Sequence, residues 1–342
     1  MQSLNILEKE SLENWDESWD LIMTLAGGHI TSKLFNVLMK YSICDIINES
    51  PKHYKDIAII INFNEFSCYR LLRYFVPFGL FKENDGVFSI TDKSKRLILG
   101  GSVHSQCKKM SSIEYFKLFE SIPDSLLQNK NLGPSSLGYS GFWDIFKDNQ
   151  DFKLLFTEGM REYSNLSLPT ILNKTDFSSF NSVVDVGGAH GWVVGKLVEK
   201  YQNLNGIIFD LDVVINSPIN KIQHPRVQYV SGSFFESVPS ADCYVLKFIL
   251  HDWADEKCLE ILKTISKSMK ENSKIYIFDS IIDPANYKKE ILFLDMCVFQ
   301  FFNGKERTIN QWRQLYDTAG FNIDSINYET KPELVILSKK NK

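Results

Sequence analysis

Val183-Val184-Asp185-Val186-Gly187-Gly188-Ala189-His190-Gly191-Trp192 is the stretch that decides the fold. A β-branched run, Ser182–Val186, ends in a glycine turn, and apolar residues at helical spacing follow over Val193–Tyr201. A second run, Gly206–Phe209, closes on Asp210. Glycines at a strand-to-helix turn let the backbone approach a ligand closely, and the N-terminus of the following helix faces it. Asp210 lies about 20 residues beyond the glycines, where a carboxylate can accept hydrogen bonds from both ribose hydroxyls. The plain alternative is that Asp210 caps a turn.

The glycine loop alone does not separate a dinucleotide from S-adenosylmethionine. The spacing is Gly-Gly-Ala-His-Gly after an Asp, not G-x-G-x-x-G, and Asp185 can hold the amino group of a methionine moiety. None of the 14 tyrosines has a Lys four positions later, so the Tyr–Lys pair of hydride chemistry is missing.

Outward from the loop, strands and helices alternate. Further strands are expected at Val227–Val230, Cys243–Phe248, Lys274–Phe278, Asn322–Asn327 and Leu334–Leu337, with a helix over Glu256–Met269. Such alternation implies an α/β fold with a mostly parallel, Rossmann-like sheet. The last two strands have no helix between them, so the C-terminal edge strand should be antiparallel.

The N-terminal third reads differently. Leu21–Met39 carries helical spacing, Tyr54–Ile61 and Glu65–Phe75 look like shorter helices, and two alternating runs flank Asn84-Asp85-Gly86, a hairpin signal. Helices followed by a hairpin make a winged-helix-like unit. Such a unit binds DNA or forms a dimerisation platform, and the packing face Leu71, Leu72, Tyr74 and Phe75 favours the second. Residues from about Gly100 to Asn149 read as irregular, with Gly133-Pro134-Ser135-Ser136 as a breaker, and a helix follows over Asp151–Leu172. The boundary falls near Ser111, giving domains 1–110 and 111–342.

The 342 residues carry a net charge of −4 and no basic block, which argues against nucleic acid. The six cysteines form no C-x-x-C pair and read as reduced thiols, with no metal site. The acidic start, Met1–Asp20, lacks the marks of a signal peptide, and no apolar run reaches the length of a membrane span. The expected location is the cytoplasm.

Tyr244-Val245-Leu246-Lys247-Phe248-Ile249-Leu250-His251-Asp252-Trp253 leaves the carboxyl end of the fourth strand, the edge at which open α/β sheets bind ligands. A lone His is most often structural; this position, beside Lys247 and Asp252, makes His251 a candidate base. The order L-K-x-x-L-H-D-W resembles the signature of the plant-type small-molecule O-methyltransferases, which include caffeic acid and hydroxyindole O-methyltransferases. Val183–Gly191 resembles their glycine loop, Phe209-Asp210-Leu211 their second-strand end, and Gly304-Lys305-Glu306-Arg307-Thr308 a further motif. The helical N-terminus fits the domain with which that family forms homodimers.

The resemblance implies S-adenosylmethionine as cofactor, a small aromatic, phenolic acceptor, and His251 as general base flanked by Asp279 and Glu306. It places Asp185, Gly187, Gly188, Gly191, Asp210, Leu211, Ser233, Phe234, Lys247 and Ser164 at the cofactor, and Phe156, Met160, Tyr163 and Trp253 at the acceptor. Phe156, Met160 and Tyr163 share one helical face by spacing, which core packing would equally produce. The chain departs from the family at Ala189-His190, at Asp212, where Pro is common, and at Ser233, where an Asp usually binds the adenine amine; weaker cofactor binding is expected. A neutral imidazole, titrating near 6.5, is expected to take the proton.

Overall fold

The computed structural model describes residues 17–216 and 221–340. The first part of the acidic opening segment lies outside the described residues. The chain forms two compact units, one ending at Ser112 and the other beginning at Ile113.

The first unit contains α1 (Glu17–Ala26), α2 (Gly28–Lys40), α3 (Ile43–Glu49), β1 (Lys52–His53), α4 (Tyr54–Ile61), α5 (Glu65–Tyr74), β2 (Phe81–Asn84), β3 (Val87–Ile90) and α6 (His104–Met110). The single helix expected over Leu21–Met39 is two helices. The chain breaks at Gly27-Gly28, where the Gly27 N–H still donates to Met23 O but the backbone then turns, as the low helix propensity of two glycines favours. The hairpin forms as read, and β1 adds a third strand against β3. Leu38, Ile43, Ile57, Leu72, Phe75, Phe81 and Phe88 make the core of this unit.

The second unit opens with α7 (Ile113–Glu120), α8 (Ile122–Gln128), α9 (Gly133–Ser136) and α10 (Ile145–Asp148), so the stretch read as irregular is largely short helices. Each is too short to persist alone. Aromatic packing holds this segment in place: Phe142 stacks on Phe301 at 5.3 Å, and Tyr115 meets the same ring edge-on at 5.1 Å. Gly133–Ser136, read as a breaker, is one helical turn with Pro134 in its first positions, where a missing N–H costs nothing. The 25-residue α11 (Gln150–Lys174) follows, its first turn capped by Asn149 Oδ1, which accepts from Phe152 N at 2.9 Å.

Then come β4 (Ser182–Val186), α12 (Trp192–Lys200), β5 (Asn205–Asp210), α13 (Asp212–Ile215), β6 (Val227–Ser231), β7 (Cys243–Lys247), α14 (Asp255–Ser268), β8 (Lys274–Phe278), β9 (Ile281–Ile282), α15 (Lys289–Phe302), β10 (Arg307–Thr308), α16 (Ile309–Thr318), β11 (Phe321–Asn327) and β12 (Leu334–Lys339). Seven strands order as β11-β12-β8-β7-β4-β5-β6. The five from β8 to β6 are parallel, and β12 runs antiparallel to both β8 and β11. This is a Rossmann-like sheet with an antiparallel C-terminal edge. Val184, Val186, Tyr244 and Ile277 are buried on one face, and Val183, Val245, Tyr276 and Phe278 on the other, as a parallel sheet covered by helices requires. The strand order reverses direction between β4 and β7, and a crevice opens beyond their carboxyl ends. Among the described residues no helix is long and apolar enough to cross a membrane.

Candidate active site

Two loops leave the sheet at that crevice. After β4 the chain turns through Gly187 (φ 76°), Ala189 (φ 44°) and Gly191 (φ 77°). A Cβ on Gly187 would stand 2.4 Å from Ile249 Cδ1, so a side chain there would both strain the backbone and displace the loop from β7. Asp210, at the end of β5, accepts from Ala189 N at 2.9 Å and Leu211 N at 2.7 Å. It caps the turn, holding Ala189 in its strained conformation, and each oxygen retains a lone pair for a ligand.

After β7 the chain turns at Phe248, whose φ of 55° is costly for an aromatic residue. It continues into one 3₁₀ turn, Leu250–Asp252, which carries His251. The imidazole is 5% exposed. Its Nδ1 lies 2.7 Å from Glu306 Oε1 and its Nε2 lies 3.3 Å from Asp252 Oδ1. Asp279 follows β8, and neither of its buried carboxyl oxygens accepts a hydrogen bond; it acts on the ring through its field. Of the two flanking acids expected, Glu306 thus makes direct contact, while the second nitrogen faces Asp252, which the sequence reading left out of the site.

The segment Gly304–Thr308 supplies Glu306 and also grips the loop that carries the base. Lys305 N donates to His251 O at 2.9 Å. The fully buried Arg307 guanidinium donates to Leu250 O, to Trp253 O at 2.7 Å and to Asp255. A Cβ on Gly304 would lie 2.1 Å from His251 O, so only glycine permits this approach. Thr308 then caps α16 in a reciprocal pair with Gln311.

The electrostatics follow from this crowding. Burial opposes protonation of His251, but Glu306, Asp252 and Asp279 outweigh it and hold the imidazole up to about 10. Three acidic side chains from the surrounding segments thus raise the ring well above the ordinary imidazole value near 6.5. Burial raises Asp252 and Asp279 to about 7, against the opposing pull of His251. Burial likewise raises Asp185 to about 7 against Lys247, and lowers Lys247 to about 8 against Asp185 and Asp279. Lys247 Nζ also donates to Ser164 Oγ at 3.0 Å.

Residues 119–322 match the O-methyltransferase domain, and residues 23–100 the O-methyltransferase dimerisation domain. The chain belongs to the S-adenosylmethionine-dependent O-methyltransferases. It is 70% identical to O-methyltransferase 7 of Dictyostelium discoideum over 98% of this chain and 99% of that one. It is 45% identical to a protein of the same organism named probable inactive O-methyltransferase 11, over 95% and 99% of the two chains. In fold it resembles human N-acetylserotonin methyltransferase in complex with S-adenosylmethionine, with a TM-score of 0.87 at 21% identity over 96% of this chain and 99% of that one.

The residues of the methyltransferase fit a cationic cofactor. Asp185 and Asp279 are buried, on β4 and just after β8, Asp210 is half-buried at the end of β5, and Asp279 accepts no hydrogen bond from the protein. Three carboxylates, one of them without a hydrogen-bond partner, match a ligand bearing an ammonium and a sulfonium. Ser233 accepts weakly from Phe235 N at 3.3 Å, leaving its proton and one lone pair for a ligand. Leu211, 37% exposed, and Phe234 lie beyond β5 and β6. Trp253 meets Phe235 edge-on at 4.8 Å and Phe234, expected at the cofactor, at 5.9 Å. Tyr163 contacts Phe248 at 5.4 Å, and Phe248 contacts His251 at 5.2 Å. Phe156 joins Phe142 at 5.1 Å and Phe146 at 5.4 Å, and Met160 is half-buried on the same helical face. Phe142 and Trp143, which stacks on Phe302 of α15 at 5.1 Å, were missed by the sequence reading, because both sit in the segment taken as irregular.

Proposed function

We propose that this enzyme moves the methyl group of S-adenosylmethionine to a phenolic hydroxyl of a small aromatic acceptor, with His251 as general base. The carrying observation is the His251 Nδ1–Glu306 contact of 2.7 Å, held at the carboxyl end of β7 beside the glycine loop. Glu306 fixes the tautomer by accepting from Nδ1–H, so that Nε2 is the nitrogen that takes the acceptor proton. In the resting imidazolium Nε2 carries a proton and faces Asp252 Oδ1 at 3.3 Å; that proton leaves to solvent before the acceptor hydroxyl takes the place beside Nε2 and passes its own proton to the freed nitrogen. Asp279 stabilises the ring's positive charge from a distance.

Asp185, Gly187, Gly188, Gly191, Asp210, Leu211, Ser233, Phe234, Lys247 and Ser164 would hold the cofactor, which supplies an electrophilic methyl group on a sulfonium. Phe156, Met160 and Tyr163 offer an aromatic and thioether surface to a flat ring; Trp253 belongs with the adenine side. A phenol suits the base, because its pKa near 10 is within reach of an imidazole, whereas an alcohol near 15.7 is not. The reading includes a cytoplasmic homodimer built through the N-terminal domain.

The test is transfer of labelled methyl to a panel of phenols by the wild type and by His251→Ala. The variant should bind S-adenosylhomocysteine normally and turn over at least about 10²-fold more slowly. A near-normal rate in the variant removes His251 from the chemistry, and cofactor binding without turnover on any phenol by the wild type overturns the acceptor assignment.

A further inference from the structure

His190 is the most unusual residue of the glycine loop and plays no part in the chemistry above. Its ring is 3% exposed, and its Nε2 lies 3.4 Å from Glu158 Oε1 on α11, without the alignment of a good hydrogen bond. Glu158 Oε2 accepts from Arg161 Nε at 2.7 Å, and the Arg161 guanidinium lies 5.5 Å from the centre of the Trp192 ring, the first residue of α12. The backbone of His190 is also fixed, because its carbonyl accepts from Tyr229 Oη at 2.7 Å and from Ile222 N at 3.3 Å. One turn of α11 therefore grips the loop on both sides of Gly191, at His190 and at Trp192.

The same helix reaches the reaction centre. Ser164 Oγ accepts from Lys247 Nζ, and Tyr163 packs on Phe248 next to the base. A rigid helix that touches the cofactor loop at Glu158 and Arg161 and the catalytic loop at Tyr163 and Ser164 cannot move at one end alone. We propose that His190 and Glu158 form a latch that couples the cofactor loop to α11, so that cofactor binding sets the position of the acceptor-facing side chains. His190 is on this account a positioning residue. The proposal rests on the assignment of the glycine loop to the cofactor and of α11 to the acceptor.

The experiment is hydrogen exchange of the intact protein, with and without saturating S-adenosylhomocysteine, together with calorimetric affinities for that ligand. In the wild type the ligand should slow exchange in the loop and also across residues 150–165. His190→Ala should bind about five- to tenfold more weakly and, once saturated, protect the loop without protecting 150–165. His190→Gln, which keeps a donor within reach of Glu158, should restore both. Glu158→Gln, which also weakens the pair with Arg161, should weaken binding in the same direction and, once saturated, leave 150–165 unprotected, and adding His190→Ala to it should weaken binding no further, because the His190 contact is already lost. Should His190→Ala not fold, Glu158→Gln carries the test alone. Protection of 150–165 in saturated His190→Ala, or failure of His190→Gln to restore it, overturns the latch. A wild type that does not bind S-adenosylhomocysteine would instead overturn the assignment of the loop.

Discussion

Replacing Glu306 by Gln changes the shape of the pH–rate profile and not only its height. In the intact site His251 holds its proton up to about 10, so the resting form at pH 7 is the imidazolium. Reaching a phenolate beside that imidazolium requires one proton to leave for solvent. For a phenol titrating near 10, the cost at pH 7 is about 3 pK units, or ~4 kcal/mol. The cost falls by one unit per pH unit, so log kcat should climb with a slope near one to about pH 9. After burial, which acts the other way, Glu306 is the strongest influence on His251. In the limit where its loss returns the ring to about 6.5, the base is free at pH 7, but transfer is uphill by about 3.5 pK units at every higher pH. The two forms then differ about threefold at pH 7 and roughly 300-fold at pH 9 through proton energetics alone. Misorientation of the ring adds a factor that does not vary with pH. Initial rates of labelled methyl transfer, at saturating cofactor and acceptor from pH 6 to 9.5, measure both profiles. Parallel profiles, or a wild-type plateau by pH 7.5, would refute the reasoning.

Three other outcomes are expected. Gly304→Ala forces a methyl group to within 2.1 Å of His251 O; it should lower stability by about 1–3 kcal/mol and kcat by about 10²-fold, read by denaturant melts and steady-state kinetics, and an unchanged kcat would contradict the tight approach. Asp185 and Asp279 lie near 7, so each is about half protonated at pH 7. A cationic ligand favours their ionised forms, and S-adenosylmethionine binding should release on the order of one proton, more than S-adenosylhomocysteine does; calorimetric enthalpies identical in phosphate and Tris would rule this out. Ser233→Asp should tighten S-adenosylhomocysteine binding by about tenfold through a charge-assisted hydrogen bond, and an unchanged Kd would place residue 233 away from the adenine amine.

The fold was legible where the chain repeats a pattern. The run from Ser182 to Asp210 reads as strand, loop, helix, strand because β-branched residues, glycines and helical spacing change sharply at their boundaries. The antiparallel edge of the sheet followed from the missing helix between β11 and β12. The helices from Ile113 to Asp148 were not legible, since each is eight residues or fewer and the segment stands on packing of Tyr115 and Phe142 against the distant Phe301 and Phe302. In the site, His251 and Glu306 were marked by their motifs. Asp252 was quoted in the same motif, but its approach to Nε2 depends on the 3₁₀ turn that folds it back on its neighbour. The raised pKa of His251 was invisible for the same reason: it needs three carboxylates from three separate segments.

That crowding also bears on why such a site persists. Asp252, Asp279 and Glu306 are buried around a single imidazole, and burial, with the carboxylates' mutual repulsion, raises Asp252 and Asp279 to about 7. Apolar replacements would relieve that repulsion. Each carboxylate nevertheless lies where positive charge is required: on the imidazolium that forms during transfer, or near the cationic groups of the cofactor. The same side chains that cost stability without a positive partner gain it back on binding, so ligand affinity and domain stability are linked through one set of carboxylates. A domain arranged this way should be strengthened more by the sulfonium form of the ligand than by its neutral product, an asymmetry that favours release once the methyl group has left.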